Sequence, residues 1–343
     1  TRRDGQISYP INNYNVSLNI GTYEHFGEKL GDLTMDYYVL PENLEKAKRQ
    51  FAQAKPMMEA FQKYFGEYPF KRDGYKLIEV PYSGMEHQSA VTYGNRFANG
   101  YLERDWTGVG VSLKFDFIII HESGHEWFGN SITAADVSDQ WIHEGWTTYA
   151  ECVYVEALFG REDAIKYTNG YKTKVRNQQP IITAREVNRT PGQDQYFKGA
   201  LFLHTLRSVI DNDAKWWKML RDYCARFKYQ NIMTEDVVRF YNQQSGKKLA
   251  PIVYGISGTF KEIAEAVQGD LRKVGIDMKV QLWDATVGWG KLATQEYDVF
   301  SMSFPYISAG DALNLYFRSG NVPTPNRMNW KDPKTDALLD KGM

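Results

Sequence analysis

Two histidines one helical turn apart, with a glutamate beside the first, are the residues of this sequence best placed to do chemistry. They stand in His121-Glu122-Ser123-Gly124-His125. Residues i and i+4 share a helix face. Both imidazoles can therefore reach one metal ion, while Glu122, one position round, can hold a water without binding the metal. This HExxH pattern suits zinc, with two imidazole ligands and a glutamate as general base. Zinc needs a third protein ligand and an open fourth position. Glu144 fits that need, with eighteen residues between it and His125. Glu151 lies two turns further along the same face, where it can accept a hydrogen bond from a ligand imidazole and fix its tautomer. Alone, the five-residue pattern is equally consistent with two satisfied core histidines. The downstream Glu144-Gly145 pair, flanked by Trp141 and Trp146, moves the reading to a metal.

Periodicity gives the elements that must position these groups. Residues 114–120 run as a buried helix into the histidines, and residues 139–151 read as a second helix carrying Glu144 and Glu151. Glycine inside a helix costs about 1 kcal/mol relative to alanine, so close packing is expected at Gly124. Upstream, Tyr14, Val16, Leu18 and Ile20 alternate within residues 8–22, which predicts a strand. Residues 42–65 read as one long amphipathic helix, kinked or broken at Pro56 and stopped at Gly66. Lys76 to Tyr82 reads as a strand leading into Gly84-Met85-Glu86-His87. Residues 95–113, rich in glycine and aromatics, read as a mobile loop, and they lack the Gly-Lys-Ser/Thr of a phosphate loop. Further helices are expected at 164–176, 196–211, 213–228 and 234–245. His204 reads as a core histidine with no role. Glu86 read alone is a surface carboxylate on a loop, and Tyr196 read alone serves equally well as a cap on the core.

HESGHEWFGN followed by WIHEGWTTYAE resembles the aminopeptidase N and leukotriene hydrolase family of zinc peptidases, which carry HExxH-x18-E. Gly84-Met85-Glu86-His87 resembles that family's Gly-x-Met-Glu-Asn loop, with His87 in place of the asparagine. Tyr196-Phe197-Lys198-Gly199 resembles its Tyr-x-Lys-Gly segment. The likeness covers roughly residues 10–250. It implies an α+β, thermolysin-like, mostly helical catalytic domain with a small mixed sheet, over residues 22–250. Residues 1–21 would be the remnant strand of a preceding β-domain. It further implies one Zn2+ held by His121, His125 and Glu144, with Glu122 as general base and Tyr196 donating to the oxyanion. Gly84, Met85 and Glu86 would bind substrate, Glu86 taking the free α-amino group of a peptide. The strand before them would run along the cleft, its edge free to pair with an extended substrate. The expected activity is that of a zinc aminopeptidase. The alternatives are an endopeptidase or ester hydrolase on the same metal, or a peptide-binding protein without catalysis.

Composition narrows the partners. Forty-one basic and forty-two acidic residues leave a net charge of −1, which gives no footprint for nucleic acid. No apolar run, Phe117 to Ile120 included, is long enough to span a bilayer. No signal peptide is visible, and Thr1-Arg2-Arg3 does not read as a natural start, which points to a lost upstream segment. Cys152 and Cys224 cannot make a disulfide framework and read as small apolar residues. The family resemblance leans to a bacterial envelope or secreted setting.

Near residue 250 the character changes. A turn at Gly255–Gly258, a helix, a strand from Ile276 to Leu282 and a strand from Tyr297 to Met302 form a βαβ-like pattern. Residues 266–276, 296–299 and 332–340 resemble extracellular solute-binding proteins of the peptide and nickel transporters. The likeness covers part of one lobe, so residues 251–343 are expected to be an α/β fragment without peptide capture of its own.

Overall fold

The computed structural model describes residues 7–246 throughout. Beyond them it describes 252–255, 258–273, 278–282, 299–301, 316–322 and 330–342, with single residues 291, 294 and 326. Two compact units divide at residues 244 and 245.

The first unit opens differently from its alternating sequence. Residues 8–22 hold one 3-10 turn, Asn13–Asn15, and no strand. Val16, Leu18 and Ile20 are 59%, 87% and 92% exposed. Alternation specifies a strand only where a neighbouring strand supplies hydrogen bonds, and residues 16–22 pair with none among the described residues. The first strand is β1 (Glu24–Leu30), joined to β2 (Leu33–Val39) by a two-residue turn with Gly31 at φ 58°. β2 alternates inward through Leu33, Met35, Tyr37 and Val39.

The helix read over 42–65 is interrupted. α1 (Leu44–Gln50) passes into a 3-10 turn at Phe51–Gln53, and α2 (Ala54–Phe65) follows. Pro56 sits in the first turn of α2, where its missing N–H is tolerated, and the break falls before it. Gly66 ends α2 at φ 96°, a conformation only glycine adopts cheaply.

β3 (Tyr75–Glu79), β4 (Gly84–Met85) and β5 (Val91–Tyr93) complete a sheet of order β1-β2-β3-β5-β4. β2, β3 and β5 run parallel, while β1 and β4 are antiparallel to their neighbours. The strand read at 76–82 is therefore interior, not the free edge expected along a cleft. That edge is β4. The loop at 95–113 is pinned: Asn95 donates to Ala98 O and Gly100 O, and the Asp105 carboxylate takes the Gly110 N–H and the Ser112 hydroxyl.

The helices follow as α3 (Phe117–Gly124), α4 (Trp141–Phe159), α5 (Arg161–Gly170), α6 (Asp194–Ile210), α7 (Asp213–Phe227) and α8 (Thr234–Ser245), with β6 (Ile132–Ala134) and β7 (Gln230–Ile232) forming a parallel pair among them. α5 stops at Gly170 and a 3-10 turn, Tyr171–Thr173, follows, so the helix read to 176 ends early. Every residue of α4 from Trp141 to Val155 is buried, which marks it as the central helix. It packs against α2, α3, α5 and α6. A polar side chain on such a helix must find a partner or a ligand.

In the second unit β8 (Ile252–Gly255), β9 (Lys279–Leu282) and β10 (Val299–Ser301) form a parallel sheet of order β10-β8-β9, and α9 (Gly258–Lys273) links β8 to β9. A further helix spans Pro333–Gly342. Within the turn read at 255–258 and the strand read from 276, residues 256–257 and 276–277 lie outside the described residues. So do Tyr297, Asp298 and Met302 of the strand read at 297–302, and Glu296 before it.

Candidate metal centre

The site is built from the first turn of α3. Asp116 caps it, accepting the Ile118 and Ile119 N–H groups at 3.1 and 3.3 Å. The same buried carboxylate accepts from Gln50, Tyr93 and Asn95, each within 2.8 Å. Burial pushes it up to about 6 against those hydrogen bonds. One turn on, α3 delivers His121 and, at its C-cap in helical geometry, His125.

Each imidazole is oriented by its Nδ1. His121 Nδ1 lies 2.7 Å from Glu151 Oε1, and Glu151 Oε2 accepts the Tyr167 and Tyr171 phenols at 2.6 Å each. His125 Nδ1 lies 2.9 Å from the Phe128 carbonyl. Both Nε2 atoms are thereby turned toward Glu144. His121 Nε2, His125 Nε2 and Glu144 Oε2 form a triangle with sides of 3.3, 3.5 and 3.3 Å. Tetrahedral zinc with ligands at about 2.0–2.1 Å requires donors about 3.3 Å apart. Glu144 Oε2 is buried without a hydrogen bond, while Oε1 accepts the Tyr196 phenol at 3.0 Å. One oxygen is held and the other is left for a cation.

Electrostatics agree. Burial lowers His121, yet the Glu144 and Glu151 carboxylates outweigh it and hold the imidazole well above its ordinary range. Burial likewise opposes His125, and Glu86 and Glu144 raise it to about 9. Glu144 is driven well below its usual value: burial opposes this, but the two imidazoles prevail. The three groups favour positive charge at their common centre. The donor set, spacing and vacant carboxylate oxygen fit Zn2+, and the sequence-read ligands His121, His125 and Glu144 meet at one point.

Glu122 is buried beside them and raised to about 7, chiefly by that burial. Its carboxylate falls within 4.8 Å of donor atoms of Glu86 and His125. Glu86 is therefore no surface carboxylate. It is 7% exposed at the end of β4, and Tyr14 donates to its Oε1 at 3.4 Å. His87 turns away, its Nδ1 3.2 Å from the Asn15 carbonyl. A Cβ on Gly84 would lie 2.6 Å from Ile118 and 3.2 Å from Glu122, so the glycine admits α3 itself. Met85 pairs with Thr92 of β5.

Glycines set two helix crossings. A Cβ on Gly124 would sit 3.1 Å from Thr147, which explains the costly residue in α3. Gly145 of α4 faces Gly199 of α6, where a Cβ would lie 2.9 Å from the opposing Cα. That contact brings Tyr196 over Glu144.

On the His121 side a cavity of about 230 Å³ opens between Tyr101, Trp106, Phe117, Phe197 and Tyr196. A larger one, about 490 Å³, is lined by Cys152, Glu156 and Arg207 and holds none of the metal donors. Its Arg207 is saturated by Glu156 and Asp213, and His204 is half-buried at its wall.

Sequence reasoning missed Tyr14, Glu126, Asn130, Tyr167 and Tyr171. The tyrosines 167 and 171 stand four apart, a spacing that aims both at one partner. Glu126 and Asn130 stand four apart on either side of Trp127-Phe128-Gly129, the same kind of spacing. Tyr14 reads only as one of an alternating set, and nothing in the sequence links it to Glu86. Among the described residues no helix is long and apolar enough to cross a membrane.

The Peptidase family M1 domain matches residues 49–255. Probable aminopeptidase 2 of Sulfurisphaera tokodaii is 24% identical over 71% of this chain and 32% of its own length. Mouse aminopeptidase B is 27% identical over 69% of this chain and 37% of its own. The chain thus spans about a third of the length of these curated relatives. A solved M1 zinc metallopeptidase variant from Deinococcus radiodurans, bound to a Tyr-Ser-Ala substrate, superposes with a TM-score of 0.53. It is 24% identical, over 70% of this chain and 53% of that one. Yeast LTA4 hydrolase with bestatin gives 0.53 at 19% identity, over 76% and 41%. At these identities the likeness of the solved structures speaks for the fold. With the family domain matching more than half of this chain and the donor triangle in place, this chain belongs to the peptidase M1 family.

Proposed function

We propose that the chain is the catalytic part of a zinc aminopeptidase that releases N-terminal residues from peptides. The observation that carries this reading is a buried carboxylate, Glu86, within 4.8 Å of Glu122 and His125, on the rim of a three-donor zinc site. A carboxylate so placed favours a substrate with a free α-ammonium group, which sets the scissile bond one residue away. The relatives named as aminopeptidases support it.

Zinc, when bound, supplies a Lewis acid and lowers the pKa of a water in its open position. The chain's own groups do the rest. Glu122 takes the water's proton and passes it to the leaving amine. Tyr196, which burial and Glu144 keep protonated, turns its phenol from Glu144 to the developing oxyanion. The open edge of β4 pairs with the extended peptide. Glu151 keeps His121 in the tautomer that presents Nε2.

Two experiments test the reading. An aminoacyl anilide with a free amine should be cleaved, and its N-acetylated counterpart should not. Equal cleavage of both would favour an endopeptidase or ester hydrolase. Tyr196→Phe should keep its zinc and lower kcat about a hundredfold. A kcat within threefold of the wild type would remove the phenol from the mechanism.

For residues 251–343 we propose an α/β fragment of solute-binding type. It rests on the sequence likeness and on the parallel β10-β8-β9 sheet with its linking helix α9. A crystal structure lacking the lobe topology of those proteins would refute it.

A further inference from the structure

Glu126 follows a metal ligand in sequence but belongs to a separate set of contacts. It is fully buried, and three donors converge on it. Oε1 accepts the Ser89 N–H at 2.9 Å and the Asn130 amide at 3.3 Å, and Oε2 accepts the Tyr68 phenol at 2.7 Å. The same Asn130 amide donates to the Glu86 carbonyl at 2.9 Å, and Asn130 Oδ1 accepts from Asn15 at 2.7 Å. Ser89 is buried with φ 60°, a conformation costly for a residue other than glycine. Such a backbone persists only where its surroundings over-determine it. Here its N–H is clamped by Glu126. The segment from Glu86 to Ser89 is thus tied at both ends to one carboxylate, directly at Ser89 and through Asn130 at Glu86.

We propose that Glu126 is a positioning residue: through Ser89 and Asn130 it fixes the backbone of the Glu86–Ser89 loop, and so the place at which the Glu86 carboxylate meets the substrate's amino group. This rests on the aminopeptidase reading. Glu126 touches neither metal nor substrate and acts on the substrate's amino end only. Its loss therefore weakens capture of a free amine and leaves the metal in place.

The test measures kcat, KM and zinc content with a free-amine aminoacyl anilide for the wild type, Glu126→Ala, Glu126→Gln and Asn130→Ala. Displacing a contact group by about 1 Å can cost up to about a hundredfold. Both alanine variants should therefore raise KM by about tenfold or more, lower kcat far less, and retain zinc. Glu126→Gln should return KM to within about threefold of the wild type. Its carboxamide oxygen can accept from Ser89 and Asn130 while its N–H donates to the Tyr68 oxygen. Tyr68 is then free to donate to the Gly74 carbonyl, 3.5 Å away. An unchanged KM in a zinc-replete alanine variant overturns the proposal, as does a glutamine variant no better than alanine. If Glu126→Ala does not fold, Asn130→Ala decides by the same criterion. A wild type indifferent to N-acetylation overturns the aminopeptidase reading as well. A wild type that demands the free amine, with unaltered KM in the variants, overturns only the positioning role.

Discussion

Glu122→Gln is expected to retain one zinc per chain and lose turnover by a factor of about 10²–10⁴. The carboxamide matches the carboxylate in size, so the buried pocket beside Gly84 and His121 should close around it unchanged. What it lacks is a site that accepts a proton. The wild-type carboxylate is suited to that task, because burial lifts it to about 7, near the pH at which it must both take and return a proton. Metal analysis and kcat on the same preparation decide the matter. A zinc-replete variant with turnover within tenfold of the wild type would hand the base to another group.

Removing the metal should abolish turnover and soften the fold without collapsing it. Chelation leaves Glu144 between two imidazoles that neighbouring carboxylates hold above their ordinary range against burial, so the cluster stays compensated. The stability lost is the binding linkage, roughly 4 kcal/mol at free zinc a thousand times its Kd. For a unit of this size that corresponds to a Tm lower by about 8–16 °C. Adding zinc back should restore both activity and Tm. A chelated protein that still turns over substrate would refute the metal-dependent reading. An unshifted Tm would show that the donor triangle does not bind zinc in solution.

The centre was legible because its parts are periodic on regular helices. The pair at 121 and 125, and Glu144 with Glu151 seven positions on, each report a shared face directly. Gly124 was readable as an anomaly and proved to be a contact point. Tyr14, Val16, Leu18 and Ile20 misled for the opposite reason. Their alternation is a local property, and a strand also requires a partner that no local pattern reveals. The interior position of β3 was hidden similarly, since sheet order is set by chain crossings and not by the residues of one strand. Glu126 escaped notice because its partners, Tyr68, Ser89 and Asn130, come from three separate segments.

Where α4 meets α6, main chain rests on main chain at Gly145 and Gly199. The gauge between the Tyr196 hydroxyl and the Glu144 carboxylate is accordingly calibrated by polypeptide dimensions, which are invariant, and not by the bulk of intervening side groups. Repacking elsewhere along the two helices can proceed without retuning that gauge. A single methyl introduced at either glycine would reset it.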